Sequence, residues 1–201
     1  MQWGFACFYK LFGNHLVISR ILTFLLGLCS VWGMYVLARA LIREKTEQAV
    51  KILQEKGIDC WITFTRESEI CGDPTLVFLA PGHVTWHSAF IISSDGRKRA
   101  IVGLYDQRTI EETGAYDAVD SYVTGIKEPF ERYLKELQPR IIAINYSRTS
   151  EISDGLTHGM YLVLYDLLQA IGYEDRLISA EKITSALRER KSPSELEAIK
   201  A

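Results

Sequence analysis

Residues 21–38, ILTFLLGLCSVWGMYVLA, run 18 positions without a charge. That is the lower end of what crosses a bilayer, where about 20 apolar residues are needed. From Arg43 onward the pattern changes to alternating helical and extended stretches. REKTEQAVKILQEKGID (43–59) reads as an amphipathic helix carrying Ala49, Val50 and Leu53, with Gly57 as its C-cap. CWITF (60–64) is a short strand. Residues 66–83 read as loop, with Gly72, Pro74, Pro81 and Gly82 around an apolar TLVFLA. In SAFIISSDGRKRAIVGL (88–104), two apolar runs flank Asp95-Gly96, the strongest short-range hairpin signal. A helix near 106–113, a strand near 118–123 and a helix EPFERYLKELQ (128–138) come next. The last of these places Phe130, Tyr133, Leu134 and Leu137 on one face. RIIAINYS (140–147) is mostly apolar, as expected of a strand covered on both faces.

DGLTHGMYLVLYDLLQAIG (154–172) reads as a long helix with Ser153 or Asp154 as N-cap and Leu156, Met160, Leu164, Leu167, Leu168 and Ile171 inward. A short strand RLISA (176–180) and a helix EKITSALRER (181–190) follow it. Hairpin first and strand–helix alternation afterwards predict an α/β fold, a mixed sheet with flanking helices. Arg190-Lys191-Ser192 then acts as a linker. Ser192, Pro193 and Glu195 form the start of one more helix, with a capping box and proline at its first position. Leu196 and Ile199 open an apolar stripe on that helix, which expects a packing partner. The domain reading is therefore a hydrophobic segment 1–42, a globular domain 43–191 and a linker helix 192–201.

Three readings of the N-terminal segment stay open. It is a membrane anchor; or a signal peptide, with Ala38-Arg39-Ala40 as a small-x-small cleavage site; or the product of a start placed too early, with Met34 as one alternative start. The anchor is preferred. Arg39, Arg43, Lys45 and Lys51 outnumber Lys10 and Arg20 on the other flank, which favours a cytoplasmic globular domain. The alternatives are a cytoplasmic protein, or a secreted one after cleavage.

Composition narrows the chemistry. The formal net charge of −2, with scattered Lys and Arg, argues against nucleic-acid binding. Cys7, Cys29, Cys60 and Cys71 show neither C-x-x-C spacing nor a disulfide framework. Cys60 reads as a core residue and Cys71 as a loop thiol. His83 and His87 have H-x-x-x-H spacing, but PGHVTWHS reads as a loop, and no Glu follows His83. His158 reads as solvent-facing, and His15 belongs to the N-terminal segment. Neither a Gly-rich phosphate loop nor a G-x-S-x-G elbow occurs. Asp95 is a turn former, and the strands CWITF, AFIIS and RIIAI bear no carboxylates. The residues thus describe a scaffold without a catalytic set.

Four phrases carry a family likeness: EKTEQAVKILQEKGIDCWITFTRES, WHSAFIISSDGRKRAIVGLYDQRTIEETGAYDAV, SDGLTHGMYLVLYDLL and ALRERKSPSELEAIKA. Together they resemble the N-terminal domain of the Xaa-Pro peptidases, the aminopeptidase P, prolidase and creatinase group, over Arg43 to Ala201. The resemblance implies a ribonuclease-H-like creatinase/prolidase N-terminal domain, preceded here by a hydrophobic helix that cytosolic members generally lack. It implies catalysis in a following "pita-bread" domain. There two divalent metals (Mn, Co or Zn), held by two Asp, one His and two Glu, would polarise the carbonyl and supply the attacking hydroxide. None of those ligands falls on this chain. The expectation is a non-catalytic domain whose terminal helix leads to a missing catalytic domain, and which serves homodimer assembly and gating over proline-containing peptides. Trp86 and His87 are the candidate gating residues; the alternative for Trp86 is packing under its own loop. Two other functions stay open: a free-standing, membrane-tethered interaction module, and a hydrolase on the ribonuclease-H-like scaffold. The last would need the clustered strand carboxylates that are missing.

Overall fold

The structure is a computed structural model that describes residues 16–200. The predictions on Cys7, Lys10 and His15 lie outside these residues. The chain divides between Leu37 and Ala38 into two compact units. Helix α1 (Leu16–Lys56) begins in the first and ends in the second.

In the first unit, the described stretch of α1 is exposed on all sides, with Phe24, Val31, Trp32, Met34 and Leu37 open to the surroundings. It is long and apolar enough to cross a membrane. A core helix of a soluble domain would hide such side chains.

The second unit is built on one sheet. Its elements are β1 (Cys60–Thr65), α2 (Ser68–Cys71), β2 (Ser88–Ser93), β3 (Lys98–Gly103), α3 (Gln107–Glu111), β4 (Ala118–Tyr122), α4 (Lys127–Leu137), β5 (Ile142–Ile144), α5 (His158–Gln169), β6 (Leu177–Ser179), α6 (Glu181–Glu189) and α7 (Pro193–Lys200). Strand order is β4-β3-β2-β1-β5-β6. β2 runs antiparallel to β1 and β3, and the β3/β4, β1/β5 and β5/β6 pairs are parallel. Every strand but β2 therefore points the same way, and their carboxyl ends share one edge. The predicted mixed sheet with flanking helices is the fold observed.

Alternation along β1 assigns the two faces. Trp61 points to a core with Ala49, Ile52 and Leu53 of α1 and Ile183 and Leu187 of α6. Cys60, Ile62 and Phe64 point to the other face, against Phe130 and Leu134 of α4 and Met160, Leu164 and Leu168 of α5. Local chemistry explains the boundaries. Gly57 adopts φ +65°, Ile58 N–H donates to Leu53 O and Gly57 N–H to Gln54 O, the Schellman pattern that ends α1. The hairpin closes with Gly96 at φ +98° and Ser93 N–H donating to Arg97 O.

Three predicted elements differ. The loop 66–83 contains α2 and a 3₁₀ turn, Leu76–Phe78. β5 covers only Ile142–Ile144, because it ends where the Asn145 side chain turns into the core. Neither Ser153 nor Asp154 caps α5. Asp154 Oδ1 instead accepts from Ser147 N–H, Leu156 N–H donates to Asn145 O, and the helix starts three residues later, with Thr157 accepting from Met160 N–H.

Candidate functional site

A cleft of 590 Å³ opens at the shared carboxyl edge of the strands. In open α/β sheets this edge is where ligands bind, since loops there can vary without disturbing the sheet. The end of β1 contributes Phe64, Thr65 and Arg66, and the approach to β2 contributes Thr85, Trp86 and His87. The end of β4 contributes Tyr122, the entry to α4 Ile126, and the entry to α5 Thr157 and Met160. Both sequence candidates, Trp86 and His87, therefore line one cavity.

The two strands that bracket the cleft are clamped beyond their last ladder pair, Thr65 with Ser88. Glu67 N–H donates to Thr85 O, Ser68 N–H donates to Val84 O, and Val84 N–H returns a bond to Ser68 Oγ at 2.8 Å. This clamp requires Glu67 to take left-handed backbone angles, φ 42° and ψ 47°. A side chain held there is strained by about 1–3 kcal/mol. Neither propensity nor periodicity marks Glu67 in the sequence.

Trp86 is half-buried. Its ring meets Tyr105 edge-on at 5.5 Å and Tyr122 at 5.8 Å, and its side chain lies against Gly103. It thus packs under neighbouring aromatics and lines the cleft at the same time. The His87 ring lies 6.0 Å from Phe64, and Tyr122 Oη donates to the His87 carbonyl at 2.7 Å. Nε2 of His87 is buried and meets no protein hydrogen-bond partner. Burial, assisted by the Arg66 charge, holds the His87 imidazole below its ordinary range. Burial, with Asp106 adding to it, pushes the Tyr122 phenol up to about 12. The cleft therefore offers a neutral imidazole and a protonated phenol on apolar walls, with the exposed Arg66 and Glu67 at its mouth. Such a lining grips a small, partly apolar ligand and orients it through a few polar atoms.

The other sequence candidates fall elsewhere. His83 is exposed in an irregular segment and does not join His87 on a helix face. His158 is exposed on the first turn of α5. Cys60 is buried, and Cys71 is exposed at the end of α2 and lines the cleft. Asp95 holds the hairpin turn by accepting from Arg97 N–H at 3.1 Å and Arg97 Nε at 2.8 Å. Among the described residues no three His, Cys, Asp or Glu side chains gather in a way that would hold a metal. The two-metal centre implied by the resemblance belongs to the following catalytic domain, and the described residues supply no donor set for one.

One buried polar group escaped sequence reading. Asp73 is 3% exposed; its Oδ1 accepts from Thr75 N–H at 2.8 Å and Thr75 Oγ1 at 2.7 Å, and its Oδ2 accepts from Asn145 Nδ2 at 2.7 Å. Asn145 Oδ1 in turn accepts from Trp61 Nε1 at 2.6 Å. This network ties the loop after α2 to the end of β5.

No protein-family model matches the chain, and no curated protein matches it. Solved structures do. The prolidase from Pyrococcus horikoshii OT3 aligns at TM-score 0.52 and 14% identity, over 77% of this chain and 37% of its own. Dipeptidase PepE from Mycobacterium ulcerans aligns at 0.55 and 16%, over 80% and 40%. The creatinase/prolidase N-terminal domain of an X-Pro dipeptidase from Streptococcus pyogenes aligns at 0.50 and 13%, over 72% of this chain and 98% of its own. The fold is that of the creatinase/prolidase N-terminal domain. The chain spans about two-fifths of the length of the prolidase and of PepE.

Proposed function

We propose that this chain works as the non-catalytic N-terminal module of an Xaa-Pro peptidase, lending its cleft to an active site supplied by a separate metal-binding catalytic domain. The observation that carries this reading is the cleft at the strand carboxyl ends, with Trp86 and His87 in its wall, on a fold found in proline-cleaving peptidases. On this reading the catalytic domain holds two divalent metals, and Trp86 and His87 close over a proline-containing peptide bound there. A flat indole beside a neutral imidazole suits a proline ring, which is apolar and lacks an N–H. Assembly as a homodimer belongs to the same proposal.

The test is release of the N-terminal residue from an Xaa-Pro peptide by the purified chain with Mn²⁺, Co²⁺ or Zn²⁺. No release is expected. Metal-dependent release by the chain alone overturns the non-catalytic reading.

A second reading concerns location, and the exposed apolar stretch of α1 favours it. We infer that this stretch is a membrane anchor, with the sheet domain on the cytoplasmic side. A tethered interaction module without any enzyme partner shares this anchor. Carbonate-resistant sedimentation with membranes supports it, and recovery of the chain in the soluble fraction contradicts it.

A further inference from the structure

Lys45 is 1% exposed, the most deeply buried charge on α1. An ammonium group has three hydrogens to place, and burial is costly unless all are used. Here Nζ donates to Leu187 O at 3.2 Å and to Arg190 O at 2.7 Å, and lies 2.7 Å from Glu195 Oε2. Its position 5.4 Å from the centre of the Phe78 ring adds a cation–π contact. The first two acceptors are carbonyls at the end of α6, left over by helix geometry. The third belongs to the capping box of α7, where Glu195 Oε2 also accepts from Ser192 N–H at 2.6 Å and Ser192 Oγ accepts from Glu195 N–H at 3.3 Å. A cation suits the carboxyl end of one helix and a carboxylate suits the amino end of the next. One buried ammonium serves both.

Neighbours on the same side of α1 repeat the attachment. Glu44 Oε2 accepts from Ser194 N–H at 3.2 Å and from Ser194 Oγ at 2.6 Å, and Gln48 Nε2 donates to Lys191 O at 3.2 Å. Arg190 pairs with both oxygens of Glu55, at 3.0 and 2.6 Å. The linker Arg190-Lys191-Ser192 and the start of α7 are thus fastened along three turns of α1. The helix it leads into is open: Leu196 is 45% exposed and Ile199 is 69% exposed.

We propose that Lys45 is the pin of a rigid joint, fixing the direction in which α7 leaves the domain, so that anything packed on α7 takes its orientation from α1. This rests on contacts within the chain and stands whether or not the peptidase reading holds. The test is hydrogen exchange of the full chain in mild detergent, comparing wild type with Lys45→Met and Glu195→Gln. Met matches the Lys stem in length and fills the buried slot without its donors. Amides of residues 192–200 are expected to exchange about tenfold faster or more in Lys45→Met, with β1–β3 unchanged. Trypsin cleavage after Arg190 and Lys191 should rise in step. Glu195, 31% exposed in its side chain, tolerates replacement, and Glu195→Gln should shift the same amides in the same direction. If Lys45→Met does not fold, Glu195→Gln decides. Unchanged exchange over 192–200 overturns the proposal. So does acceleration spread equally over β1–β3, which would make Lys45 a prop of the whole fold.

Discussion

A β-carbon added at Gly103 would sit 2.8 Å from Cε3 of Trp86 and 3.0 Å from its Cβ. Glycine at the end of β3 is what lets the indole settle against the sheet edge and form a wall of the cleft. Gly103→Ala should therefore push Trp86 outward, at a cost of about 1–3 kcal/mol for overpacking. Denaturant unfolding reads the loss, and near-UV circular dichroism reads the displaced ring.

Asp73→Asn should also destabilise, although the side chains are nearly isosteric. The new amide would keep its oxygen for Thr75 and point its nitrogen at Asn145 Nδ2, donor against donor. Asn145 cannot turn over, because its Oδ1 already accepts from Trp61 Nε1. Asn145 Nδ2 keeps Thr63 Oγ1 and Thr75 Oγ1, both at 3.0 Å, so the unpaired donor is the new amide at position 73, at a cost of about 1–3 kcal/mol. Gly155→Ala should cost more, since a β-carbon there would lie 2.2 Å from Asp73 Cγ. Urea midpoints of the two variants check the order.

The His87 imidazole gives a pH signature. Burial lowers its folded-state pKa, so below the ordinary value of about 6.5 the unfolded chain binds the proton more readily than the folded one. The contribution of His87 to stability is complete above about pH 6.5 and is lost as pH falls through the lower folded pKa. His87→Gln should remove this part of the pH slope while acid unfolding through the carboxylates remains. Denaturant midpoints from pH 7.5 to 5, compared between the two proteins, decide it.

Much of the frame is legible in the sequence because its causes are local. Gly57 ends α1, Asp95-Gly96 turns the hairpin, and Ser192 with Glu195 caps α7, each through partners within a few residues. Phe130, Tyr133 and Leu134 share a face at helical spacing, and all three are buried. What escaped is held by distant partners. Asp73 and Asn145 are 72 positions apart, and Lys45 and Arg190 are 145 apart. Nothing near Lys45 in sequence separates it from the exposed Lys51. The start of α5 slipped because the backbone of Asn145 captures Leu156 N–H, a tertiary contact that outweighs the cap offered by Asp154. Trp86 and His87 could be placed on a loop beside the hairpin, but only the sheet order brings Tyr122 and α4 to the same cleft.

Glu67→Gly should ease the left-handed backbone that clamps the cleft. Stability is expected to rise by up to about 1 kcal/mol, since relief of strain is partly offset by the extra freedom of glycine in the unfolded chain. A fall in the unfolding midpoint would show that the Glu67 side chain contributes more than its strain costs.

The proposed function requires the cleft to meet a metallopeptidase catalytic domain. Its most direct measurement is site-specific photo-crosslinking in the native cell from Ile70, which is 86% exposed on the cleft rim, with the crosslinked peptides sequenced. Crosslinks are expected to a polypeptide segment bearing the Asp, Asp, His, Glu, Glu metal set, and they should weaken in Gly103→Ala, where Trp86 is displaced into the cleft mouth. Crosslinks confined to proteins without such a set would contradict it.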